Sequence, residues 1–492
     1  MSDKAGITEL ARALVEAGAE IVSSGGTAQV LEAAALPVTS VEQVTGAPEM
    51  LEGRVKTLHP LIHGGILADR AKPSHLGEIE GLGIALIDLV VVDLYPFEGA
   101  LAQGLGEEEL TEHIDIGGVA LIRAAAKNWR AVTVVVTPER YPDLIEAIRN
   151  GGPSPELRRR LALEAFSHTT AYDAAIARYL AGKDLLGERL VTSAAKLADL
   201  RYGENPHQRA ALYEAPGPGI GSSTQLGGKE LSYNNLLDAD AAWRLVTSLD
   251  PPAAAIVKHS NPCGAACAGS LESALRRARA CDEFSAFGGI VALNETCDEM
   301  AASAVAETFF EVVVAPGYEP EALDILRKKK HLRLLAAEVP GAAVELRSIS
   351  GGLLVQSCDE VSGAGEWAVV TKAEPLSEQL DDLRFSWVVA AMVKSNAIVL
   401  AAERTTVGIG AGQMSRVQAA ELATRNAGPR GAGAVCASDA FFPFADGIQT
   451  LADAGVSAVV QPGGSVRDDE VIATADERGL VMVFTGRRHF RH

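Results

Sequence analysis

Apolar residues recur along the first 180 residues with two alternating spacings. Residues 7–17 carry Leu10 and Leu14 at helical spacing before Gly18, and residues 20–22 form a short run that predicts a strand. Further elements are predicted as a glycine turn at 23–27, helices at 28–35 and 154–182, and strands at 87–94 and 131–136. Alternating helices and strands are typical of a parallel α/β sheet.

From residue 200 onward, three short segments recur in the same order. Residues 257–261 resemble 393–396, residues 284–287 resemble 438–442, and residues 312–317 resemble 458–463. Ordered repetition predicts two tandem copies of one α/β unit. The predicted organisation is a first domain at 1–183, a linker at 184–200, and two copies at 201–350 and 351–492.

Length and composition indicate a large globular chain. Its 492 residues correspond to roughly three domains, and 48% of them are hydrophobic. No apolar run approaches the roughly 18 residues that span a bilayer, and the N-terminus lacks the pattern of a signal peptide. Six scattered cysteines argue against a disulfide framework. We therefore expect a cytoplasmic protein.

The formal charge of −20 disfavours some partners. Nucleic acids and anionic membranes both require a basic face, so neither is expected to bind. Small anionic substrates remain compatible, because a few local cations are enough to bind a phosphate inside an acidic protein.

The segment Lys258-His259-Ser260-Asn261-Pro262-Cys263-Gly264 follows an apolar run at 253–257 that predicts a buried strand. An ammonium group and an imidazole thus stand side by side where a strand ends and a turn begins. Strand ends of α/β sheets commonly carry the chemistry of a site. The alternative is a solvated loop charge.

Two segments of the first domain indicate an anion site. Residues 23–27 place two glycines between a strand and a helix, where free backbone N–H groups and the helix dipole favour anions. Residues 53–60 place Arg54, Lys56 and Thr57 close together. A glycine turn and a solvated loop without a ligand are the alternative interpretations.

Three further residues of this domain are ambiguous on local grounds. Tyr95 ends an apolar strand, Asp115 lies between apolar residues and two glycines, and Lys127 lies on a predicted helix. A tyrosine at such a position commonly lies at the boundary of the core, and a lysine on a helix commonly lies at the surface.

Together, residues 53–60, 93–97 and 114–128 resemble the inosine monophosphate (IMP) cyclohydrolase domain of the family of bifunctional purine biosynthesis enzymes. That domain has a methylglyoxal-synthase-like α/β fold. The resemblance implies a ring-closing site lined by Lys56, Tyr95, Asp115 and Lys127. It also implies a phosphate site formed by Ser2, Lys4, Gly25, Gly26, Thr27, Arg54 and Thr57. The family carries an apolar strand before its Ser-Asp-Lys segment; Met1 stands directly before that segment here, which predicts impaired phosphate binding and cyclohydrolase activity.

Segments of the second half resemble the transformylase domain of the same family, at 201–208, 258–264, 285–289, 393–396, 408–416 and 438–446. The resemblance covers essentially the whole chain and implies two tandem cytidine-deaminase-like α/β units. It assigns catalysis to Lys258, His259 and Asn396. It assigns substrate binding to Arg201, Tyr202, Phe287, Gly288, Gln413, Arg416, Phe441, Asp446 and Arg488.

The implied reactions suit these side chains. Formyl transfer from 10-formyltetrahydrofolate reaches the poorly nucleophilic amine of aminoimidazole carboxamide ribotide (AICAR), which needs a base and a stabilised oxyanion. His259 suits the base, Lys258 the oxyanion, and Asn396 the orientation of the substrate. Ring closure of formyl-AICAR to IMP is intramolecular, so holding the right conformer supplies much of the acceleration.

The resemblance also implies a homodimer with transformylase sites at its interface, and it allows a bound monovalent cation. ATP and NAD are not expected, because no G-x-x-x-x-G-K-[ST] segment occurs and residues 408–412 lack G-x-G-x-x-G spacing. No metal is expected.

Two other functions compete with this one. Residues 262–267 resemble a zinc deaminase motif, but their spacing is P-C-x-x-x-C and no H-x-E includes His259. A catalytically inactive nucleotide- or folate-binding protein is the second alternative.

Overall fold

The structure is a computed structural model that describes residues 2–51, 54–182, 184, 186–341, 344–361, 365 and 367–492. The chain divides into two compact units, Met1–Ser193 and Ala194–His492. This division falls inside the predicted linker at 184–200, whereas the domain boundaries themselves remain predictions. Gly53 of the 53–60 motif lies outside the described residues. Within the described part, no helix has both the length and the apolar character needed to cross a membrane.

The first unit alternates helices and short strands. Its helices are α1 (Ile7–Glu16), α2 (Gly25–Ala33), α3 (Val41–Thr45), α4 (Pro60–Leu67), α5 (Pro73–Gly81), α6 (Phe97–Ala102), α7 (Glu107–Glu112), α8 (Gly117–Lys127), α9 (Tyr141–Arg149) and α10 (Pro155–Ala181). Its strands are β1 (Val22–Ser23), β2 (Thr39–Ser40), β3 (Leu89–Val91) and β4 (Thr133–Val135). The predicted turn at 23–27 is shorter than expected, because α2 already begins at Gly25.

Both strand pairs of this unit are parallel, β1 with β2 and β3 with β4. Apolar side chains from the helices pack onto the second pair, and Phe97, Ile122 and Val134 are almost completely buried there. The parallel α/β class is therefore confirmed for this unit.

The second unit is built from longer strands. Its strands are β5 (Lys196–Leu200), β6 (Ala210–Tyr213), β7 (Thr224–Gly227), β8 (Ala253–Lys258), β9 (Asn261–Cys267), β10 (Ile290–Leu293), β11 (Val312–Ala315), β12 (Arg333–Ala336), β13 (Val344–Ile349), β14 (Gly352–Ser357), β15 (Ala368–Val369), β16 (Ile398–Ala402), β17 (Thr405–Gly410), β18 (Val435–Ser438), β19 (Ala458–Gln461) and β20 (Val481–Phe484). Its helices are α11 (Tyr233–Thr247), α12 (Leu271–Cys281), α13 (Glu283–Ala286), α14 (Glu299–Ala306), α15 (Pro320–Leu326), α16 (Ser377–Ala391), α17 (Arg416–Ala427), α18 (Asp446–Asp453) and α19 (Asp468–Glu477). The strand β5 lies in the predicted linker; its residues are mostly exposed, so no burial pattern announced it.

One sheet of twelve strands organises this unit, in the order β15-β20-β19-β18-β16-β17-β9-β8-β10-β11-β12-β7. The strand order is symmetric about its centre when β8 to β12 are matched, in sequence order, with β16 to β20. In each half an antiparallel hairpin lies beside three mutually parallel strands. The two halves meet where β9 pairs with β17. The second unit thus has an internal duplication of strand order.

Only one of the three pairs of recurring segments lies at equivalent positions in the two copies. Residues 312–317 and 458–463 begin with the matched strands β11 and β19. Residues 257–261 form the turn between β8 and β9, whereas 393–396 lie before β16, so that pairing was wrong. Residues 284–287 precede β10, but 438–442 end β18, and that pairing was wrong too. Short segments paired by residue identity therefore did not show which strands of the two copies are equivalent.

The true counterpart of the turn at His259 and Ser260 is the turn at Glu403 and Arg404. All four residues have a positive φ, between 51° and 59°. In the first copy, Asp238 of α11 accepts the backbone N–H groups of His259 and Ser260. In the second copy a carboxylate of α16 accepts those of Glu403 and Arg404 in the same way. Each copy therefore uses a helix carboxylate to stabilise a left-handed hairpin turn.

Close packing between strand and helix also repeats. A Cβ added to Gly264 of β9 would lie 2.0 Å from the carbonyl oxygen of Ala278 in α12. A Cβ added to Gly410 of β17 would lie 2.0 Å from the carbonyl oxygen of Ala419 in α17. Both positions thus require glycine, because the backbone of the helix lies too close to the strand for a side chain.

We predict that Gly264→Ala and Gly410→Ala each destabilise the second unit by about 1–3 kcal/mol, because the methyl group forces helix and strand apart. Chemical denaturation followed by circular dichroism measures the loss. Gly269→Ala is the matched control, since a Cβ there meets nothing within 4 Å. Equal unfolding midpoints for Gly410→Ala and Gly269→Ala would contradict the packing.

Candidate active sites

The turn after β8 presents the first candidate group of the second unit. The carboxylate of Asp238 accepts the N–H of His259 at 3.0 Å and that of Ser260 at 2.7 Å. These two bonds satisfy the backbone where its φ is positive, and they leave the imidazole of His259 exposed to solvent. The sequence analysis did not identify Asp238, because this side chain bonds to the backbone of a turn that is distant in the sequence.

Lys258 links this turn to the segment before β10. Its Nζ donates to the carbonyl oxygen of Phe287 at 2.9 Å, and the N–H of Gly288 donates to the carbonyl oxygen of Phe309 at 2.8 Å. The rings of Phe287 and Phe309 have centroids 5.4 Å apart. The structure therefore places Lys258 next to Phe287 and Gly288, while their role in a site stays a prediction.

A buried polar group surrounds Arg416 at the start of α17. One guanidinium nitrogen donates to Ser438 Oγ at 2.7 Å and to Asp439 Oδ1 at 2.5 Å, and the other donates to Asn396 Oδ1 at 2.7 Å. Arg416 is 6% exposed and Asp439 is fully buried. Three of the five N–H donors of this guanidinium are thus engaged inside the protein, so it holds Asn396 in place.

Asp439 is the residue that sequence reasoning missed here. Its second oxygen accepts from Ser395 Oγ at 2.5 Å, and the first also accepts from the N–H of Ala397. An ionised carboxylate buried after an apolar strand requires such partners. A carboxylate directly following the run at 435–438 is the pattern that would have indicated it.

The two groups lie at the same edge of the sheet. Asn261, the first residue of β9, accepts the backbone N–H of Lys394 through Oδ1 at 3.1 Å. Asn396 follows two residues later and donates through Nδ2 to the carbonyl oxygen of Gln413 at 2.9 Å. The Lys258–His259 turn and the Asn396–Arg416 group are therefore connected by backbone contacts.

The remaining predicted residues of this unit have local partners. Arg201 stacks on Tyr202 and donates to its hydroxyl at 2.9 Å. Asp446 begins α18 and accepts from Gly447, and Arg488 stacks on a neighbouring aromatic ring. Phe441 follows β18 and is half-buried. Among the described residues, no hydrogen bond joins Asp446 or Arg488 to the Lys258 turn.

In the first unit, two ammonium groups lie at the start of α2. A Cβ on Gly25 would stand 3.5 Å from Lys56 Nζ, and a Cβ on Gly26 would stand 3.6 Å from Lys4 Cε. Ser24 caps the helix without a side-chain hydrogen bond, which leaves backbone N–H groups for a ligand. Glycines, lysines and a helix N-terminus thus lie together, which is a combination of groups that suits an anion.

Acidic side chains pair with Lys56 and with Arg54, a further predicted cation of this site. Lys56 Nζ lies 2.6 Å from Glu49 Oε2, and Arg54 pairs with Glu112. The backbone N–H of Ser2 donates to Asp93 Oδ1 at 2.7 Å. The N-terminal segment is thereby held by a carboxylate of the strand end after β3.

Asp115 lies beside the N-terminus of α8. Burial raises its pKa, while its Oδ1 accepts the N–H of Gly118 at 2.7 Å. Its backbone N–H donates to the hydroxyl of Tyr172, and the ring of Tyr95 contacts that of His113 edge-on at 6.5 Å. Tyr95, which is 53% exposed, thus contacts a residue two positions before Asp115.

Two more predicted residues lie at opposite ends of α8. Thr57 Oγ1 is 3.1 Å from a Cβ built on Gly117, at the start of the helix. Lys127 is the last residue of α8, about 15 Å further along the axis at 1.5 Å per residue. The structure therefore does not bring Lys127 to Asp115 within one chain; the sequence spacing of twelve residues concealed this separation.

The zinc alternative has no support in the cysteine environments. Burial raises the pKa of Cys263 to about 12 and that of Cys267 to about 11, as is typical of thiols packed among apolar groups. Across the described ranges, no cluster of three or more His, Cys, Asp or Glu side chains is arranged for a metal ion.

Comparison with known proteins gives full-length matches. The family model described as AICARFT/IMPCHase bienzyme matches residues 125–426, and the MGS-like domain matches residues 6–120. The bifunctional purine biosynthesis protein PurH of Desulfitobacterium hafniense (strain DSM 10664 / DCB-2) is 50% identical over 514 residues, covering 100% of this chain and 98% of its own length. PurH of Cereibacter sphaeroides (strain ATCC 17025 / ATH 2.4.3) is 51% identical over 519 residues with the same coverage.

A crystal structure of ForH aligns with 36% of this chain and 94% of its own, at 36% sequence identity and a TM-score of 0.32. This overlap is too limited for a conclusion about the fold. The full-length matches, in contrast, define a bifunctional enzyme of purine biosynthesis with an MGS-like N-terminal domain.

The chain belongs to the AICARFT/IMPCHase bienzyme family. Its activities are formyl transfer to AICAR, with a formyl-folate co-substrate, and IMP cyclohydrolysis, the last two steps of purine biosynthesis. The predicted family and both predicted activities are thereby confirmed.

We predict that Asp238→Asn lowers kcat for formyl transfer by about 10- to 100-fold, because a charged acceptor of two backbone N–H groups is worth about 1.5–3 kcal/mol. Asp382→Asn is the matched control, since Asp382 holds the turn at Glu403 and Arg404. Both variants should lose similar unfolding free energy, measured by chemical denaturation. Equal kcat losses in the two variants would show that the Asp238 effect is only structural.

Proposed function

We propose that ring closure takes place in the domain at 1–183 and formyl transfer in the two copies at 201–350 and 351–492, each with a cytidine-deaminase-like fold. The observation that carries this proposal is the joint presentation of Lys258, His259 and Asn396 at one edge of the twelve-stranded sheet. The group of lysines and glycines at the start of α2 supports the assignment of ring closure to the first unit.

For formyl transfer, His259 acts as the base that removes a proton from the AICAR amine as the new C–N bond forms. Its imidazole is exposed on a turn that Asp238 stabilises, so it is accessible to substrate. Lys258 has two N–H donors left after its bond to Phe287, and these stabilise the oxyanion of the tetrahedral intermediate.

The other residues of this unit bind the two substrates. Asn396 orients the AICAR carboxamide, and Arg416 fixes the side-chain conformation of Asn396. Arg201, Tyr202, Gln413, Asp446 and Arg488 contact the nucleotide, and Phe287, Gly288 and Phe441 contact the folate. The formyl donor is 10-formyltetrahydrofolate, and the reaction uses neither ATP nor NAD; a monovalent cation is compatible with this scheme.

For ring closure, the substrate phosphate binds at Lys4, Gly25, Gly26 and Lys56, with Ser2, Thr27, Arg54 and Thr57 around it. Anchoring the phosphate restricts the ribotide to conformers in which the carboxamide nitrogen reaches the formyl carbon. Asp115 and Tyr95 then transfer the protons that are needed for the loss of water. A carboxyl group whose pKa is raised by burial is suited to donate a proton in this step. Lys127 contributes only if a second chain supplies it.

A homodimer in the cytoplasm completes the proposal. Large apolar side chains flank both parts of the transformylase site: Phe284 is 93% exposed near Phe287, and Met414 is 95% exposed next to Gln413. Exposed apolar groups around a polar site favour coverage by another protein surface. A second copy of the chain would provide that coverage.

His259→Ala should lower formyl transfer by about 10²–10⁴-fold, because a general base contributes that much. Closure of supplied formyl-AICAR to IMP should be unchanged. The two steps are followed separately, as tetrahydrofolate release and as IMP formation. A parallel loss of both activities would contradict separate sites.

Lys56→Met should produce the opposite result. Loss of one charged contact to the phosphate should reduce kcat/KM for ring closure by about 10- to 100-fold, while formyl transfer persists. Lys72→Met is the control, since Lys72 pairs with an acidic neighbour at the surface of the same unit. Unchanged ring closure in Lys56→Met would contradict the assigned phosphate site.

A further inference from the structure

The segment that follows β20 contacts the surroundings of Asn396 at two points. The carbonyl oxygen of Arg491 accepts the backbone N–H of Ser395 at 2.9 Å. The backbone N–H of His489 donates to the carbonyl oxygen of Asp439 at 3.0 Å. The carboxylate of Asp439 in turn accepts from Ser395 Oγ and from the backbone N–H of the residue after Asn396. The chain on both sides of Asn396 is therefore tied to this segment, directly or through Asp439.

The side chain of His489 anchors the segment to the rest of the unit. His489 is 3% exposed, and its Nδ1 donates to Asp359 Oδ2 at 2.6 Å. Its ring also contacts the ring of Trp387 in α16 edge-on, with centroids 5.3 Å apart. Burial makes the bond to Asp359 important, because water does not replace a lost acceptor for a buried N–H group.

The internal duplication indicates that the fold does not require this histidine. Trp387 in α16 and Trp243 in α11 are equivalent, since each is the eleventh residue of its helix. Trp243 Nε1 donates to the carbonyl oxygen of Glu338, so in the first copy the indole group holds the segment after β12. Residues 337–341 of that segment contain no histidine. The imidazole and its carboxylate partner are therefore an addition in the copy that carries Asn396.

The side-chain bonds of Asn396 depend on where its backbone lies. Arg416 donates to its Oδ1, and its Nδ2 donates to the carbonyl oxygen of Gln413. Hydrogen bonds weaken steeply as distance and angle become unfavourable, so both bonds need the backbone of Asn396 at a fixed place. A shift of about 1 Å in a group that orients a substrate is enough to slow a reaction strongly. The contacts of Ser395 and Asp439 with the segment after β20 hold the backbone at that place.

We propose that His489 is a positioning residue for formyl transfer, and that its bond to Asp359 keeps Asn396 in place for AICAR. The bond holds the segment after β20, whose backbone groups then restrain Ser395 and Asp439. In this scheme His489 contacts no substrate and acts through the backbone of its own segment. This inference rests on the proposed role of Asn396 in formyl transfer.

The test uses the full-length enzyme and measures formyl transfer and ring closure separately. His489→Ala should lower kcat/KM for AICAR by about tenfold, as expected for the loss of a hydrogen bond to a charged acceptor. The KM for 10-formyltetrahydrofolate and the closure of supplied formyl-AICAR should be unchanged. His489→Asn should recover most of the loss, because its amide N–H replaces that of Nδ1.

Asp359→Ala tests the same bond without emptying a buried position, since the Asp359 side chain is 52% exposed. It should lower kcat/KM for AICAR in the same direction as His489→Ala. Asp476→Ala is the matched control, because Asp476 also holds a loop of this unit by accepting the backbone N–H of Lys372 at 2.8 Å. The control should lose unfolding free energy in chemical denaturation while its kcat/KM for AICAR stays unchanged.

Two measurements separate positioning from a general loss of structure. In a double-mutant cycle, His489→Ala should add no further loss to Asn396→Ala, because both changes remove the contribution of the same side chain. Hydrogen exchange followed by mass spectrometry should show faster exchange at residues 393–397 in His489→Ala. Exchange at the turn formed by His259 and Ser260 should be unchanged.

Several results would overturn the inference. Unchanged kcat/KM for AICAR in both His489→Ala and Asp359→Ala would do so, and so would losses that add fully to that of Asn396→Ala. The proposed function fails separately, if Asn396→Ala itself leaves formyl transfer unchanged. A slow Asn396→Ala enzyme beside fully active His489 and Asp359 variants would leave the proposed function standing and refute the positioning role alone.

Discussion

The second unit depends on a sheet that is buried on both faces, and the polar side chains described above lie where its strands end. In β8, the residues from Ala253 to Val257 are at most 1% exposed. The backbone at the start of this strand is satisfied by Asn294, whose side chain accepts the N–H of Ala253 at 2.7 Å. At its other end, Asp238 accepts two N–H groups of the turn. Burial therefore forces polar side chains to the sheet edge, and the active site is assembled from residues already required there.

The duplication separates what the fold needs from what the chemistry needs. Asn294 and Asp439 occupy equivalent positions and accept the N–H of Ala253 and of Ala397. An amide oxygen is sufficient for that bond, yet the second copy has a carboxylate whose other oxygen accepts from Ser395. The added charge is balanced by the buried Arg416, which also donates to the side chain of Asn396. The residue that accepts one backbone N–H in the first copy is thus replaced in the second by the centre of a hydrogen-bond network, in which the charged pair helps to fix Arg416.

The sequence predicted the α/β class, the positions of about half of the first-unit elements and the existence of a repeat, since these follow from local periodicity. It did not predict the register of the repeat, because letter matches at 257–261 and 393–396 do not reveal which strands are partners. The resemblance named Lys258, Phe287 and Gly288, which are neighbours in the structure. It could not show that α8 separates Lys127 from Asp115, nor that Asp238 acts on a distant backbone, since both depend on helix length and tertiary approach.

Charge distribution explains how an acidic chain serves anionic substrates. At physiological salt, fields from exposed charges fall off over about 8 Å, so the net charge of −20 has little effect on a site with its own cations. The two lysines proposed to contact substrate differ in their present partners. Lys258 donates to a neutral carbonyl oxygen, whereas Lys56 lies 2.6 Å from Glu49. At the proposed phosphate site, a phosphate would therefore have to displace or share a carboxylate, and its binding free energy would be reduced by the cost of breaking that ion pair. The proposed formyl transfer would face no such competition, because a carbonyl acceptor leaves the full positive charge of Lys258 for the oxyanion.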